Sequence, residues 1–349
     1  MIALAGISEE ALQGKLRGWG IRPSHAGRLL RAFYAAGGEI AWDELALPAG
    51  LRPKLEAEGP LLRSEIQARQ TAADGTVKLL LRLEDGRTVE SVLMPDYRAD
   101  RAAGCLSTQV GCAMGCDFCA TTKSGFERNL SAGEITEQFL ALRREARAGG
   151  RKLQTIVFMG MGEPMLNLDA VLEALPRLAE NRLGALGWRQ LTVSTVGIVP
   201  GIDRLAEANL NVHLAVSLHG PDDATRARLI PAGRRYGVEE VLTAADRYQA
   251  RTGRPVTIQY CLLQGVNDAP EQARLLAERV GARRMHVNLL RYNPTGLSLQ
   301  GRTYAASPEK AALAFAAVLK QHGVVAHFRR PRGREIDAAC GQLRERLAS

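Results

Sequence analysis

No run of eighteen or more apolar residues occurs in this chain of 349 residues, which excludes a membrane-spanning helix of the usual kind. The opening stretch, MIALAGISEE, lacks a basic segment and turns acidic at once, so it is not read as a signal peptide and the protein is expected in the cytoplasm. Cysteine is scarce: there are six, Cys105, Cys112, Cys116, Cys119, Cys261 and Cys340. In a chain of this size with no export signal, six thiols do not make a disulfide scaffold, and metal binding or catalysis is the better default. Charge of one sign is not in great excess. A net charge of +9 alone describes an ordinary, slightly basic protein.

What is present is a core-forming composition, 46% hydrophobic, with room for one large or two ordinary domains. Residues 1–60 read as a small helical domain, with apolar residues at helical spacing in SEEALQGKLRGWG and RPSHAGRLLRAFYAAGG. Residues 61–100 read as a short β linker whose hairpin turns at Asp85-Gly86. Residues 101–349 form the main domain. Six β-rich runs, CLSTQVG, TIVFMGMG, LTVSTVG, VHLAVSLHG, VTIQYCLL and HVNLLRYNP, alternate with helical patterns. Ser131 and Glu134 supply a capping box, and Ser307-Pro308 a helix start with Gly323 as its stop. The fold class is therefore α/β with a parallel sheet. Six units are too few for a closed eight-stranded barrel, so a partial (β/α)6 barrel is expected, with VVAHFRR as a candidate seventh strand.

The chemistry-bearing motif is GCAMGCDFCATT, with Cys112, Cys116 and Cys119 at spacings of three and two intervening residues. Structural zinc takes four ligands, commonly from paired C-x2-C units. A [4Fe–4S] cluster is held through four irons, normally by four cysteines. Three thiolates leave one iron open, the pattern of radical S-adenosylmethionine (SAM) enzymes; zinc binding and simple electron transfer are the alternatives. The open iron would chelate the amino and carboxylate groups of SAM. Motifs at the ends of the β runs can hold the rest of it: Gly162 and Glu163 of GMGEP, Ser194, the Ser217-Leu218-His219 turn, and Asn293. Each is weak alone, since a glycine-rich strand end is usually only a turn.

Two features remain. FRRPRGRE crowds Arg329, Arg330, Arg332 and Arg334 together, which suits phosphate oxygens or simply a solvated edge. Just beyond lies Cys340 in EIDAACGQL. A single free cysteine is most often a packing residue. Cys261 reads as a core strand residue, and Glu90, in VESVLMP, as an exposed strand carboxylate.

In combination, CLSTQVGCAMGCDFCATTKSGFERNL, GMGEPMLNLD, VSLHGPDD, LLQGVND, YNP and IDAACGQL resemble the RlmN-type RNA methyltransferases, whose near relative is Cfr. The resemblance runs over nearly the whole chain. It implies a radical SAM enzyme that methylates carbon 2 of an adenosine in the peptidyl-transferase region of 23S rRNA, and in many members an adenosine beside the tRNA anticodon. It implies one [4Fe–4S] cluster per chain on Cys112, Cys116 and Cys119, and two SAM molecules per turnover. Cys340 would accept a methyl from the first SAM. A radical from the second would remove a hydrogen from that methyl, and the carbon would add to the RNA. Cys105 would then attack the Cys340 sulfur, leaving a transient disulfide, with Glu90 as the proton acceptor. An electron donor such as a flavodoxin-like protein is implied, and the enzyme is expected to act as a monomer. CATTKSGF, STVG and YNP depart from the commoner family patterns and border the expected SAM and RNA sites. Methylation at carbon 8, a radical SAM enzyme without RNA, and a non-catalytic metal-binding protein are the competing readings.

Overall fold

The computed structural model describes residues 3–343. Three helices come first: α1 (Glu9–Gly18), α2 (His25–Ala35) and α3 (Leu51–Ala57). Ser8 Oγ accepts the Ala11 N–H at 3.1 Å and satisfies one of the orphan donors that begin α1. The buried stripes, Leu12 and Leu16 on α1 and Leu29, Leu30 and Phe33 on α2, follow the helical period and join one continuous hydrophobic core with the rest of the chain.

Three antiparallel strands follow: β1 (Glu65–Thr71), β2 (Val77–Arg82) and β3 (Thr88–Pro95). The β2–β3 reversal is at Asp85-Gly86 as expected. Gly86 has φ +83, a conformation glycine adopts without a Cβ clash. β3 pairs antiparallel with β4 (Arg101–Cys105), so residues 65–95 extend the main sheet edge to edge. The chain then leaves the sheet, and β5 (Gln109–Gly111) pairs with β6 (Phe126–Asn129) in a separate small sheet.

From there strands and helices alternate: α4 (Ala132–Ala148), β7 (Lys152–Phe158), α5 (Leu168–Ala179), β8 (Leu191–Thr195), α6 (Val199–Glu207), β9 (His213–Ser217), α7 (Asp223–Leu229), α8 (Val238–Thr252), β10 (Val256–Leu262), α9 (Pro270–Gly281), β11 (Met285–Arg291), α10 (Glu309–Gln321) and β12 (Ala326–Phe328). Strands β4 and β7 to β12 are parallel neighbours in chain order. The fold is α/β as expected. The ten-stranded sheet is mixed and unclosed, running from β1 at one edge to β12 at the other, and the strand anticipated in VVAHFRR is β12.

Two local expectations are corrected. CLSTQVG is not one strand. Only Cys105 lies in β4, because Ser107 turns out of the ladder: its N–H donates to Gln138 Oε1 at 2.8 Å and its Oγ to the Glu90 carbonyl at 2.7 Å. Ser307 does not cap α10. Pro308 occupies the cap position, and Ser307 Oγ makes no hydrogen bond among the described residues, since the preceding residue is drawn to the end of β10 by a bridge between Leu263 and Ala306. The Ser131–Glu134 capping box forms fully. Among the described residues no helix is long and apolar enough to cross a membrane.

Candidate active site

A cavity of about 440 Å³ opens at the C-terminal ends of the parallel strands, the end at which α/β folds place their ligands. Its walls include Cys105 from β4, Val157 from β7, Ser194 from β8, Ser217 from β9, and Gln259 and Cys261 from β10. Gln259 and Ser217 are cross-strand partners.

Cys112, Cys116 and Cys119 sit together on this wall. The turn carrying them is pinned at several points. Cys112 N–H donates to the Gly125 carbonyl at 2.7 Å, and Cys119 N–H to the Cys116 carbonyl at 3.0 Å. Asp117, fully buried between two of the cysteines, accepts the Tyr304 hydroxyl at 2.6 Å and the Gln300 N–H at 3.1 Å. Burial pushes the Cys112 thiol up to about 12 and Cys116 upward too, with each cysteine's charge opposed by its neighbours'. Thiols so placed favour a cationic group that replaces their protons. Three sulfurs facing one cavity fit a [4Fe–4S] cluster with one iron left for a ligand. Among the described residues no three His, Cys, Asp or Glu side chains meet at single-ion distances.

The residues expected to hold SAM fall around the same space, with one exception. Gly162 has φ +99, and a Cβ there would come within 2.6 Å of Gln109, so only glycine lets the two segments touch. Glu163 borders the cavity with its carboxylate already engaged: it accepts from Val196 N–H at 2.8 Å and Met165 N–H at 3.0 Å. Burial raises its carboxyl to about 7 despite those bonds. His219 is held at φ +53; its Nδ1 accepts the Cys261 N–H at 2.9 Å, so in the neutral ring Nε2 carries the proton. Burial and the Arg226 charge lower its pKa to about 3. Ser194 and Ser217 line the cavity. Asn293 also lines it and reaches the C-terminal segment, with Oδ1 accepting from Arg334 Nε at 2.7 Å and Nδ2 donating to the Cys340 carbonyl at 3.4 Å. The structure does not bring Leu218 to the wall: its side chain is fully buried, its N–H donates to the Gln259 carbonyl, and its own carbonyl accepts from Arg226.

Cys340 lies on a turn, not a helix, and its thiol faces the cavity. It is far from the cluster motif in sequence, yet Ala120 N–H donates to the Gly341 carbonyl at 2.7 Å and Thr121 Oγ1 to the Leu343 carbonyl at 2.6 Å. Those bonds moor the turn to the residues that follow Cys119. Cys340 is exposed to the cavity; the protein walls around it raise its thiol and the nearby Arg329 guanidinium opposes the rise. Cys105 shares the cavity and is pushed up to about 12, first by burial and then by Cys340. All six cysteines are free thiols. Glu90 is not the exposed carboxylate expected from its strand. It is fully buried and paired with Lys78 at 2.9 Å, and it does not line the cavity. It shares the inner face of β3 with Val92, which does line it and stands opposite Cys105.

Several contributors had no signal in the sequence. Arg226 of α7 is the largest fully buried side chain; Nη1 donates to the Ser217 and Leu218 carbonyls, both at 2.9 Å, and Nη2 to the Val196 carbonyl. It ties the ends of β8 and β9 beneath the cavity. Gln109 presents Oε1 to the Glu163 N–H at 2.9 Å. Cys261 is buried on its strand as expected and also forms part of the cavity wall. Alternation on β10 with Gln259 is the one signal that could have placed it there.

This fold and thiol set define a radical SAM protein, and residues 106–277 match the family model described as the radical SAM superfamily. The chain is 65% identical over 342 residues to an Opitutus terrae protein named "Probable dual-specificity RNA methyltransferase RlmN 1", covering 98% of this chain and 96% of that one. A Thermus thermophilus protein of the same RlmN name is 44% identical over 334 residues, 96% of this chain and 92% of its own. The crystal structure of a radical SAM methyltransferase from Sphaerobacter thermophilus superposes with a TM-score of 0.92 at 40% identity, covering 99% of both chains. The chain belongs to the RlmN family of radical SAM RNA methyltransferases, whose cofactors are a [4Fe–4S] cluster and SAM.

Proposed function

We propose that this enzyme methylates carbon 2 of an adenosine in the peptidyl-transferase region of 23S rRNA, and of the adenosine beside the tRNA anticodon, through a methylated Cys340. The observation that carries this reading is the meeting of Cys340 and Cys105 in the cavity that also holds Cys112, Cys116 and Cys119. When bound, the cluster and SAM supply a reducing electron, a transferable methyl and a hydrogen-abstracting radical. The protein residues do the rest.

Carbon 2 of adenine lies between two ring nitrogens and is electron-poor, so it cannot take an electrophilic methyl as an amine would. A protein nucleophile must receive the methyl first, and a thiolate is the strongest the chain offers. Cys340 has that position, with Arg329 favouring its ionised form. Once the carbon on the Cys340 sulfur has been joined to carbon 2, with one electron passed to the bound cluster and the carbon 2 proton lost, the Cys105 thiolate would attack the Cys340 sulfur. The sulfur–sulfur bond forms as the sulfur–carbon bond breaks, and the released electron pair stays on the adenine side, where the carbon takes up a proton to become the methyl group. The resemblance assigns the proton from carbon 2 to Glu90, two residues along β3 from the partner of Cys105; because Glu90 is buried against Lys78 and outside the cavity lining, that proton would have to reach it through an intervening group. Arg329, Arg330 and Arg332 border the cavity and supply charge for the RNA backbone.

Mass spectrometry of nucleosides from rRNA and tRNA of cells with and without this protein tests the proposal. 2-Methyladenosine in both RNAs, lost with the protein, is expected. 8-Methyladenosine in its place would overturn the choice of carbon.

A further inference from the structure

At the mouth of the cavity the β3–β4 loop meets the segment that follows β12. The loop contributes Pro95, Asp96 and Tyr97, and the segment Arg329, Arg330 and Arg332. Tyr97 is 81% exposed, the most exposed of the large hydrophobic side chains among the described residues. It does not pack on the core. One face of its ring is turned to Arg330, whose guanidinium carbon lies 5.8 Å from the ring centroid, within the range of a cation–π contact. The loop that bears it is closed at its base, where Asp96 N–H donates to the Arg101 carbonyl at 3.1 Å and Arg101 N–H to the Arg98 carbonyl at 3.0 Å. A large ring held in water by a backed loop, between a substrate cavity and three arginines, gains nothing for the fold where it stands.

We infer that Tyr97, backed by Arg330, is a stacking platform for an unpaired RNA base next to the nucleotide that enters the cavity. This rests on the RNA reading above and adds a residue to it. Three features select the ligand. The surrounding arginines suit phosphates. A ring with one face backed by a guanidinium and the other open suits a flat π-system. The position at the rim, outside the thiol-lined interior, suits a flanking base and not the target. Stacking of this kind is tolerant of base identity, since every base has a π-face. The platform therefore grips without reading sequence.

The test is equilibrium binding of a synthetic RNA hairpin, with an unpaired adenosine-containing loop, to the cluster-loaded enzyme across a salt series. Tyr97→Ala is expected to weaken binding about thirtyfold, the middle of the range for losing one stacked base. Its log–log salt slope should match wild type, because no charge is lost. Tyr97→Trp should bind within about twofold of wild type, as either ring stacks. Methyl loading of Cys340 from labelled SAM, without RNA, should be unaffected by both. Wild-type affinity in Tyr97→Ala overturns the platform and leaves the RNA reading intact. Failure of the wild-type enzyme to bind the hairpin removes both. A Tyr97→Trp variant as weak as Tyr97→Ala shows that the phenol hydroxyl, not stacking, is used, and also overturns the inference.

Discussion

Lys78 Nζ lies 2.9 Å from Glu90 Oε1, and the two side chains are 5% and 0% exposed. Both sit on the inner face of the antiparallel strands, in a setting where removing one member of a charge pair costs far more than the pair contributes. Lys78→Met is expected to destabilise the protein by about 3 kcal/mol, and Lys78→Met with Glu90→Leu to recover most of that loss. Chemical denaturation of the two variants and of Glu90→Leu completes the cycle. A Lys78→Met variant as stable as wild type would show that the pair carries no structural weight.

The two cavity thiols are proposed above to have different tasks and so should fail differently. Cys340→Ala is expected to take up no methyl from labelled SAM and to make no product. Cys105→Ala should load the methyl normally and then accumulate a covalent protein–RNA adduct, seen as a shifted band that nuclease removes. Turnover by Cys340→Ala would sink the methyl-carrier role, and free product at the normal rate from Cys105→Ala the resolving role.

His219 gives the protein an acid sensitivity of definite sign. Its folded pKa is about 3, against the ordinary 6.5. The unfolded chain binds a proton in that window and the folded one does not, so stability falls as pH drops below about 6.5. The limiting slope from this one group is about 1.4 kcal/mol per pH unit. His219→Gln keeps an acceptor for the Cys261 N–H and has nothing to protonate. Its stability should decline less steeply than wild type between pH 6.5 and 5.5, measured by denaturant midpoints. Parallel curves would show that the imidazole is not the group responsible.

Asp117 anchors the cluster turn through Tyr304 and Gln300. Asp117→Ala leaves the buried tyrosine hydroxyl without that acceptor, at a cost of about 1–3 kcal/mol. The expected consequence is a turn that holds its cluster less firmly, read as faster loss of iron absorbance in air. Tyr304→Phe should show a smaller effect in the same direction. Wild-type decay in Asp117→Ala would mean that the remaining backbone bonds suffice.

How far the primary structure could be read varies with the range of the interactions. The Ser131–Glu134 cap and the Asp85-Gly86 turn are local devices, and they form where their residues predict. The Cys112–Cys119 spacing is equally local. The break in CLSTQVG is not, since it depends on Gln138, thirty-one positions from Ser107, taking that residue out of the ladder. Glu90 looked exposed because nothing nearby in sequence names Lys78 as its partner. Arg226 was invisible for the same reason: a helical arginine reads as solvated until three carbonyls from two other segments converge on it. For Cys340 the family resemblance supplied the role, and the cavity now gives the residue a location.

The C-terminal segment is fastened to both ends of an open sheet. It continues from β12 at one edge, and near the other Gly333 N–H donates to Asp74 Oδ2 at 3.2 Å while Glu335 accepts from Ala73 N–H. During synthesis this strap emerges after every strand it must span. A nascent chain can therefore display its three-cysteine turn long before it owns Cys340, the thiol proposed above to receive a methyl. A ribosome stalled before residue 333 leaves a chain that lacks both the strap and Cys340.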